Sequence, residues 1–278
     1  MNVPRIKIYG ERNTGTNYLE KLVHINLEVN TLRGNLPKSV ARWFVKVSKP
    51  LSGLNEWYFL NTNEFLKDAY FGIMSGQNLG WKHAALLPPH RLIQTRNAST
   101  TYFITLTKNP YSWLISLYKR PYHSRYHVQS VSFSDYLEHP WQTVRREQAE
   151  RVFLNPVVMW NEKNRSYIAA GQSPQIRLLM LRYEDLLADP EDAIAQIQRF
   201  TNCRRRQQAF VNIDESLKRE QEKGFSYYQD YYLNERWRSL LSDRDLAIIN
   251  RHLDESVMTY FRYPYITPGS AEHQHTSL

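Results

Sequence analysis

The stretch Gly10-Glu11-Arg12-Asn13-Thr14-Gly15-Thr16-Asn17 decides the fold of this 278-residue chain. It follows Arg5–Tyr9, whose alternating pattern predicts a short buried strand. It precedes an amphipathic segment with apolar residues at Tyr18, Leu19, Leu22, Val23 and Ile25. A loop that holds a nucleoside triphosphate carries a Lys and then a Ser or Thr after its second glycine, but this chain has Thr16 and Asn17 there. The spacing therefore predicts a loop whose amides bind an anion, without the usual contacts for ATP and magnesium.

The composition indicates one fairly large domain, which we place at residues 1–266 with an insertion at about 26–79 and a flexible polar tail at 267–278. The net charge of +9 favours an anionic partner, without choosing among nucleotide, nucleic acid, acidic glycan and anionic lipid. The single Cys203 excludes an internal disulfide and suits a reducing compartment. Because the chain opens directly on a strand and no stretch approaches the ~18 apolar residues of a membrane span, we expect a cytoplasmic protein with no transmembrane segment.

Three further buried strands are predicted at Leu79–Ala84, Thr101–Thr107 and Ile176–Leu181, with helices between them. Polar motifs stand where these strands end, namely Lys82-His83, Lys108-Asn109-Pro110 and Arg182-Tyr183-Glu184-Asp185. Strands that alternate with helices imply a parallel sheet with ligands at the carboxyl ends of its strands. The sequence therefore predicts a three-layer α/β/α fold with a central parallel sheet, and one site to which all four loops contribute.

The helices are predicted less sharply than the strands. Residues 26–79 read as an insertion of short helices, in which we favour for Val40–Lys49 a surface helix docked by its aromatic face over a contact with anionic lipid or polymer. Arg145–Ala170 reads as a long helix with a kink or break at Pro156. Helices are also predicted to begin at Asp189-Pro190 and at a Ser242/Asp245 capping box, the second continuing to Tyr260.

Taken in order, the motifs resemble the PAPS-dependent sulfotransferases, which take a sulfuryl group from 3'-phosphoadenosine-5'-phosphosulfate. That family opens with a loop of the form Pro-Lys-Ser-Gly-Thr-Thr-Trp-Leu, to which Arg12–Leu19 is similar. Its Arg-Asn-Pro signature, with a Ser eight positions after the Arg, resembles Lys108-Asn109-Pro110 with Ser116. Its Tyr-Glu-Asp-Leu signature, followed by Asp-Pro, is similar to residues 183–186 and 189–190. The resemblance covers about residues 3–20, 79–120 and 176–260.

The resemblance implies a fold like that of the P-loop nucleoside triphosphate hydrolases, and PAPS as co-substrate without a metal. The phosphosulfate would lie on a loop formed by Arg12, Asn13, Thr14, Gly15, Thr16 and Asn17. Lys108 and Ser116 would hold the 3'-phosphate, since a cation and a hydroxyl suit a compact dianion. Tyr18 would stack on the adenine, and Tyr183 would contact it.

Transfer needs a base for the acceptor and a cation for the leaving oxygen. His83 is the candidate base, because its ordinary pKa lies close to neutral pH. The family places a loop Lys at the leaving oxygen, where this chain has Asn13. Arg12 or Lys82 is the candidate replacement, and the sequence leaves both open.

We therefore expect a PAPS-dependent sulfotransferase that acts on a hydroxyl or amine of a small-molecule, glycan or lipid acceptor, and we do not expect nucleic acid as its partner. Two alternatives stay open, a catalytically silent module that binds a nucleotide, an anionic glycan or a lipid, and an atypical P-loop kinase. Arg120–His127 is either an acceptor-binding loop or a plain exposed loop. Lys218–Gly224 lies where the family places a flexible basic segment over the nucleotide.

Overall fold

A computed structural model of the chain describes residues 3–53, 56–122, 131–214, 223–267 and 269. The strands are β1 (Arg5–Tyr9), β2 (Asn30–Thr31), β3 (Thr101–Thr107), β4 (Trp141–Gln142), β5 (Val152–Phe153) and β6 (Leu178–Arg182). The helices are α1 (Thr16–Asn26), α2 (Lys38–Ser48), α3 (Glu56–Asn78), α4 (Pro89–Leu92), α5 (Pro110–Lys119), α6 (Phe133–Glu138), α7 (Pro156–Gly171), α8 (Tyr183–Ala188), α9 (Pro190–Thr201), α10 (Phe225–Leu233), α11 (Asp243–His252) and α12 (Glu255–Phe261).

Within the described ranges, four strands form a parallel sheet in the order β2, β1, β3, β6. Arg5 of β1 is in register with Asn30 on one side and Thr101 on the other. Phe103 of β3 is in register with Leu178 of β6. Because the strands are parallel, the loops that follow them all start from the same edge of the sheet.

Helices cover both faces of this sheet. Ile6 and Ile8 of β1 point to one face and pack in a buried cluster with Leu22 of α1 and Ile194 of α9. Phe103 points to the other face and packs in a cluster with Tyr167 of α7. Side chains of a strand alternate between faces, so one strand supplies both layers. The predicted three-layer α/β/α fold is confirmed.

Two helix starts follow the prediction. Asp189 caps α9 by accepting a hydrogen bond from the Asp192 amide at 2.9 Å, and Ser242 with Asp245 forms the capping box of α11. The continuous helix expected after Ser242 is wrong, because α11 ends at His252 and the Asp254 carboxylate caps a separate α12. The long helix expected from Arg145 is also wrong.

The chain before Pro156 forms a short 3-10 turn and the β4–β5 hairpin, and α7 begins at that proline. Proline fits the first turn of a helix because its missing amide has no helical partner there. The break expected at Pro156 is therefore the start of the helix.

The strand predicted at Leu79–Ala84 is wrong. Leu79 and Gly80 have positive φ angles of 61° and 83°, and the amide of Ala84 bonds the carbonyl of Trp81 in a turn. The segment still touches the sheet edge, since the Gly10 amide donates to the Lys82 carbonyl at 2.9 Å. The short strand β2 takes the sheet position beside β1 instead.

Residues 26–79 also differ from the expected insertion of short helices. They contribute β2 to the central sheet, and α3 alone has 23 residues. Helix α2 docks as a surface helix through the buried Phe44, whose ring meets Tyr70 of α3 edge-on at 6.5 Å. Its neighbour Trp43 is 56% exposed, so only part of the predicted aromatic face is docked.

No helix in the described part of the chain combines the length and apolar character needed to cross a membrane. Three sequence predictions fall wholly or mostly outside the described residues. They concern the loop Arg120–His127 beyond residue 122, the basic segment Lys218–Gly224 before residue 223, and the tail at 267–278.

Candidate functional site

A cavity of about 300 Å³ opens at the carboxyl edge of the sheet. It holds eight of the predicted site residues, which are Arg12, Asn13, Gly15, Thr16, Asn17, Tyr18, His83 and Tyr183. The rest of its lining is apolar and aromatic, from Leu187, Ile213, Phe225, Tyr228 and Tyr232. The cavity therefore has a polar end at the glycine loop and an aromatic end, which is the division of chemistry that a nucleotide requires.

The glycine loop has the backbone of an anion-binding turn. Asn13 and Gly15 both have left-handed φ angles, 65° and 87°. A Cβ at Gly15 would lie 2.4 Å from the ring of Tyr183, so the ring position also demands glycine. Thr14, another predicted contact residue, is not among the lining residues of the cavity, and its hydroxyl donates to the Glu11 carbonyl at 2.6 Å within the loop.

Helix α1 begins directly after this loop with its first amides uncapped. Its N-cap residue, Gly15, has no side chain to cap it, and its first turn, Thr16 to Tyr18, contains no acidic residue. First-turn amides have no partner within the helix, and the helix dipole favours negative charge at this end. The loop and helix together present donors and positive potential to the cavity.

His83 is held as a neutral imidazole. Its Nδ1 lies 2.7 Å from the carbonyl oxygen of Gly10, and a carbonyl only accepts, so Nδ1 carries the proton. Burial lowers the pKa of His83 well below its usual value, and the charges of Arg12 and Lys82 lower it further. The lone pair therefore lies on Nε2, which is the protonation state that a general base needs.

The two candidate cations have different surroundings. Arg12 lines the cavity, and its guanidinium lies over the rings of Trp81 and Tyr122 at 5.1 and 4.6 Å. Lys82 is buried and donates to Glu20 at 2.6 Å and to Asn17 at 2.7 Å. The charge of Lys82 is thus balanced by a carboxylate, whereas that of Arg12 is held by aromatic faces.

Lys108 and Ser116 lie together, as their spacing predicts. The Lys108 ammonium is 3.0 Å from the Ser116 hydroxyl, because α5 begins at Pro110 and brings Ser116 back over the end of β3. Neither residue lines the cavity, however. Tyr232 does line it, and its ring centroid lies 3.9 Å from the Lys108 ammonium, while its hydroxyl lies 3.4 Å from Ser116.

Helix α10 supplies the aromatic wall of the cavity. Phe225, Tyr228 and Tyr232 follow at intervals of three and four residues and so share one helical face. Phe225 stacks on Tyr18 with ring centroids 6.0 Å apart. The Tyr18 hydroxyl donates to Asn212 at 2.6 Å, which fixes the ring at the cavity wall.

A buried ion-pair network supports the loop from below. The Lys163 ammonium of α7 donates to Glu11, to Glu147 at 2.6 Å and to the His83 carbonyl at 3.0 Å. The other oxygen of Glu11 accepts from the Tyr122 hydroxyl at 2.9 Å. Burial alone would lower the pKa of Lys163, but the two carboxylates outweigh it and raise that pKa. Lys163 therefore stays charged and ties the glycine loop to the His83 segment.

The profile of the sulfotransferase domain family matches residues 4–245. The chain belongs to that family. The resemblance read from the motifs is thereby confirmed, and the match covers the cavity, the loop and all four strands of the central sheet.

Solved structures of sulfotransferases are similar to this chain at low identity. A sulfotransferase domain from the curacin biosynthetic pathway is 13% identical, with 95% of this chain and 99% of that one covered and a TM-score of 0.47. A sulfotransferase from Alicyclobacillus acidocaldarius is 14% identical over 93% and 100%, with a TM-score of 0.39. Retinol dehydratase, solved with androsterone and the inactive cofactor PAP, is 16% identical over 94% and 80%, with a TM-score of 0.36. No curated protein sequence matches the chain significantly.

The sequence does not predict several residues of this sulfotransferase-family site. Trp81 and Tyr122 flank Arg12, and Lys163 holds Glu11, but no local pattern in the sequence indicates these contacts. Their partners lie far along the chain, since Lys163 and Glu11 are 152 positions apart. The α10 wall did carry a signal, because its aromatic residues recur at helical spacing.

Proposed function

We propose that the protein transfers the sulfuryl group of PAPS to a hydroxyl or amine of an acceptor. The observation that carries this proposal is the pairing, in one cavity, of an uncapped anion loop with a neutral His83 whose Nδ1 is bonded to the Gly10 carbonyl. The loop suits the charge of a phosphosulfate, and the histidine suits removal of a proton from the acceptor. A binding module would not require the second feature.

The two ends of the cavity suit two parts of the donor. The amides at the start of α1, together with the Asn17 side chain, would hold the phosphosulfate. Lys82 only donates, so the Asn17 oxygen faces it and the amide NH2 is left to donate to a ligand. The aromatic end between Tyr18, Phe225 and Tyr183 suits an adenine ring.

The 3'-phosphate would be held by Lys108 and Ser116, which already lie in contact. Because the Tyr232 ring covers the Lys108 ammonium, this ring has to turn aside before a phosphate contacts it. Tyr232 belongs to α10, which also lines the adenine end. Binding of the base and of the 3'-phosphate would therefore both involve the same helix.

The proposed transfer is an in-line displacement at sulfur. The acceptor oxygen or nitrogen gives its proton to Nε2 of His83 and forms a bond to the sulfur. The bond from sulfur to the bridging oxygen of the 5'-phosphate breaks, and that oxygen keeps the electron pair. Arg12 stabilises the charge on the leaving oxygen, because its cation lines the cavity whereas the charge of Lys82 is balanced by Glu20. The proton on His83 then passes to water.

The proposal also covers the domain organisation of the chain and its location in the cell. We place one domain at residues 1–266, because Met180 of β6 and Tyr232 of the cavity wall pack against the buried cluster that contains α11 and α12. The tail at 267–278 would lie outside it. The single Cys203 suits a reducing compartment, so a cytoplasmic location is proposed.

Ligand-dependent melting tests the donor. Adenosine 3',5'-bisphosphate at a hundred times its Kd should add about 2.7 kcal/mol of stability, which is ~5–10 °C in Tm for a domain of this size. 5'-AMP, which lacks the 3'-phosphate, should shift Tm less. Stabilisation by ATP with magnesium but not by the bisphosphate would contradict the proposal. A mass-shift screen for acceptors that gain one sulfuryl group from PAPS then tests turnover.

A further inference from the structure

A second opening, the β2 groove, lies beyond the end of β2. It is an open groove of about 660 Å³ lined by residues 31 and 33–39, together with Glu20 of α1 and Arg42 of α2. None of these residues has a role in donor binding as proposed above. Because β2 is the neighbour of β1 in the parallel sheet, the groove lies at the same edge as the donor cavity, on the flank away from β3 and β6.

The Lys82-His83 segment separates the β2 groove from the donor cavity. Its backbone is bonded on one side to the Gly10 amide at 2.9 Å and on the other to the Gly34 carbonyl at 3.1 Å. The Lys82 ammonium likewise joins Asn17, which lines the cavity, to Glu20, which lines the groove. The β2 groove and the donor cavity are thus neighbours that are divided only by this segment, which carries the candidate base.

The groove carries positive charge that is not neutralised locally. Arg33, Lys38 and Arg42 are exposed, and their charged groups form no ion pair with any described residue. The carboxylate of Glu20 is already paired with Lys82. Three cations around one opening favour a ligand with several negative charges.

The positive charge continues along α2 as a basic stripe. Lys38, Arg42, Lys46 and Lys49 recur at intervals of four, four and three residues, so they lie on one face of the helix, and all are exposed. The stripe is ~16 Å long at 1.5 Å per residue. Its length exceeds that of a single charged group and fits a chain with repeated charges.

The exposed apolar residues of α2 argue against a membrane as the occupant. A helix that lies on a bilayer buries one apolar face opposite its polar face. In α2 the face opposite the basic stripe packs on α3 and is not available to a bilayer, since Phe44 packs on Tyr70 and Ser48 contacts Asn63. Of the exposed apolar residues, Val45 lies on one side of the basic stripe and Trp43 and Val47 lie on the other, so they do not form one continuous apolar face. An indole beside a row of cations instead suits a sugar ring that bears acidic groups.

We propose that the β2 groove and the basic stripe bind an acidic oligosaccharide, a sugar chain with carboxylate or sulfate groups, and present one of its hydroxyls to His83. The inference rests on the proposed function, because it assigns the acceptor of that reaction. It narrows the acceptor from any hydroxyl or amine to a polyanionic glycan. The sugar hydroxyl would be the acceptor that gives its proton to His83 and receives the sulfuryl group.

Binding of a heparin hexasaccharide, with neutral maltohexaose as comparison, tests this inference. The double variant Arg42→Gln/Lys46→Gln removes two charges of the stripe. Arg199→Gln/Arg244→Gln removes two charges elsewhere, at residues whose side chains are 67% and 64% exposed. We expect the stripe variant to raise the Kd of the heparin hexasaccharide at least tenfold and to weaken its salt dependence. The control variant should stay within twofold of the parent, and maltohexaose should not bind.

Adenosine 3',5'-bisphosphate melting shifts are measured on the same samples, so that the two proposals fail separately. Equal Kd values for the stripe and control variants, with the bisphosphate shift intact, would overturn the oligosaccharide site and leave sulfuryl transfer standing. Tighter binding of phosphatidylserine vesicles or of single-stranded RNA than of the hexasaccharide, abolished by the stripe variant, would assign the stripe to that ligand and also overturn it. Loss of the bisphosphate shift in the parent would overturn the proposed function and the acceptor role that rests on it, whereas the Kd values of the hexasaccharide would still decide whether the groove binds it.

Discussion

The Nδ1 atom of His83 lies 2.7 Å from the carbonyl oxygen of Gly10. Gly10 opens the glycine loop, and its amide also donates to the carbonyl of Lys82 at 2.9 Å. Two bonds therefore fix the His83 segment to the loop that would hold the donor. Because the carbonyl accepts only, the first bond also sets the tautomer, and Nε2 is the nitrogen that can take a proton.

Replacement of His83 should separate chemistry from binding. We expect His83→Gln to lower kcat by ~10²–10⁴-fold, the usual effect of losing a general base, while the Kd of adenosine 3',5'-bisphosphate stays within about threefold. His24→Gln, at an exposed position of α1, is the control and should keep parental activity. Turnover with PAPS and calorimetric titration measure the two quantities. Parental kcat in His83→Gln would show that another group is the base.

The lowered pKa of His83 makes a prediction for the pH dependence of the rate. Burial lowers this pKa well below 6.5, and the charges of Arg12 and Lys82 add to the effect. His83 therefore stays neutral as the pH falls through 6.5, and kcat/KM should decline only at lower pH. A decline of kcat/KM centred at 6.5 would mean that the imidazole is solvated as in the unfolded chain.

The lowered pKa of His83 should also make the folded protein less stable as the pH falls. In the unfolded chain His83 takes up a proton near pH 6.5, whereas the native imidazole does so only at lower pH. The free energy of unfolding should therefore fall as the pH drops below 6.5, by up to ~1.4 kcal/mol per pH unit. Urea unfolding of the parent and of His83→Gln between pH 5 and 8 checks this, since the slope should be smaller in the variant, which keeps only the contributions of other groups such as His252, whose pKa is also lowered. Identical slopes would refute the shift.

The sequence predicts the parts of the site that follow directly after strands. Lys108 comes after β3 and Tyr183 after β6, so the order of motifs along the chain is also their order along the sheet edge. His83 reaches the same edge although its strand prediction is wrong. The positive φ angles at Leu79 and Gly80 turn the chain toward the sheet, and two hydrogen bonds to Gly10 hold His83 at the sheet edge without a strand.

The sequence does not predict which residues far apart along the chain come into contact. Glu11 belongs to the glycine loop, which the sequence predicts. The neighbouring residues do not indicate that its partner is Lys163 rather than a lysine closer in the sequence. Which buried charges meet is decided by how α7 packs on the sheet. The same holds for Tyr232, whose position over Lys108 depends on the path of α10.

The choice between Arg12 and Lys82 is open to a direct comparison. Arg12→Gln should lower kcat by ~10²–10³-fold, since loss of one group that stabilises developing charge costs ~2.7–4 kcal/mol. Lys82→Gln should lower kcat less than tenfold, because its charge is already balanced by Glu20. Single-turnover rates with saturating PAPS measure both. The reverse ranking would assign the leaving oxygen to Lys82.

Lys108 should contribute to the affinity for one phosphate only. A hydrogen bond to a charged group is worth ~1.5–3 kcal/mol, so Lys108→Ala should raise the Kd of adenosine 3',5'-bisphosphate by ~10- to 100-fold. The Kd of 5'-AMP should not change, which also shows that the variant is folded. Lys119→Ala, exposed at the end of α5, is the matched control. An equal loss for both nucleotides would mean that Lys108 supports the loop rather than the 3'-phosphate.

The network below the loop should be required for stability. Lys163→Met leaves the buried carboxylates of Glu11 and Glu147 without their shared cation, and breaking a buried ion pair from one side costs ~3–5 kcal/mol. Arg165→Met, two positions along the same helix, removes a cation that is 46% exposed and should cost less than ~1 kcal/mol. Urea unfolding at pH 7 compares them. Because the carboxylates can take up protons instead, the Lys163→Met deficit should shrink as the pH is lowered. A loss that is equal in the two variants and independent of pH would show that the buried network does not hold the loop.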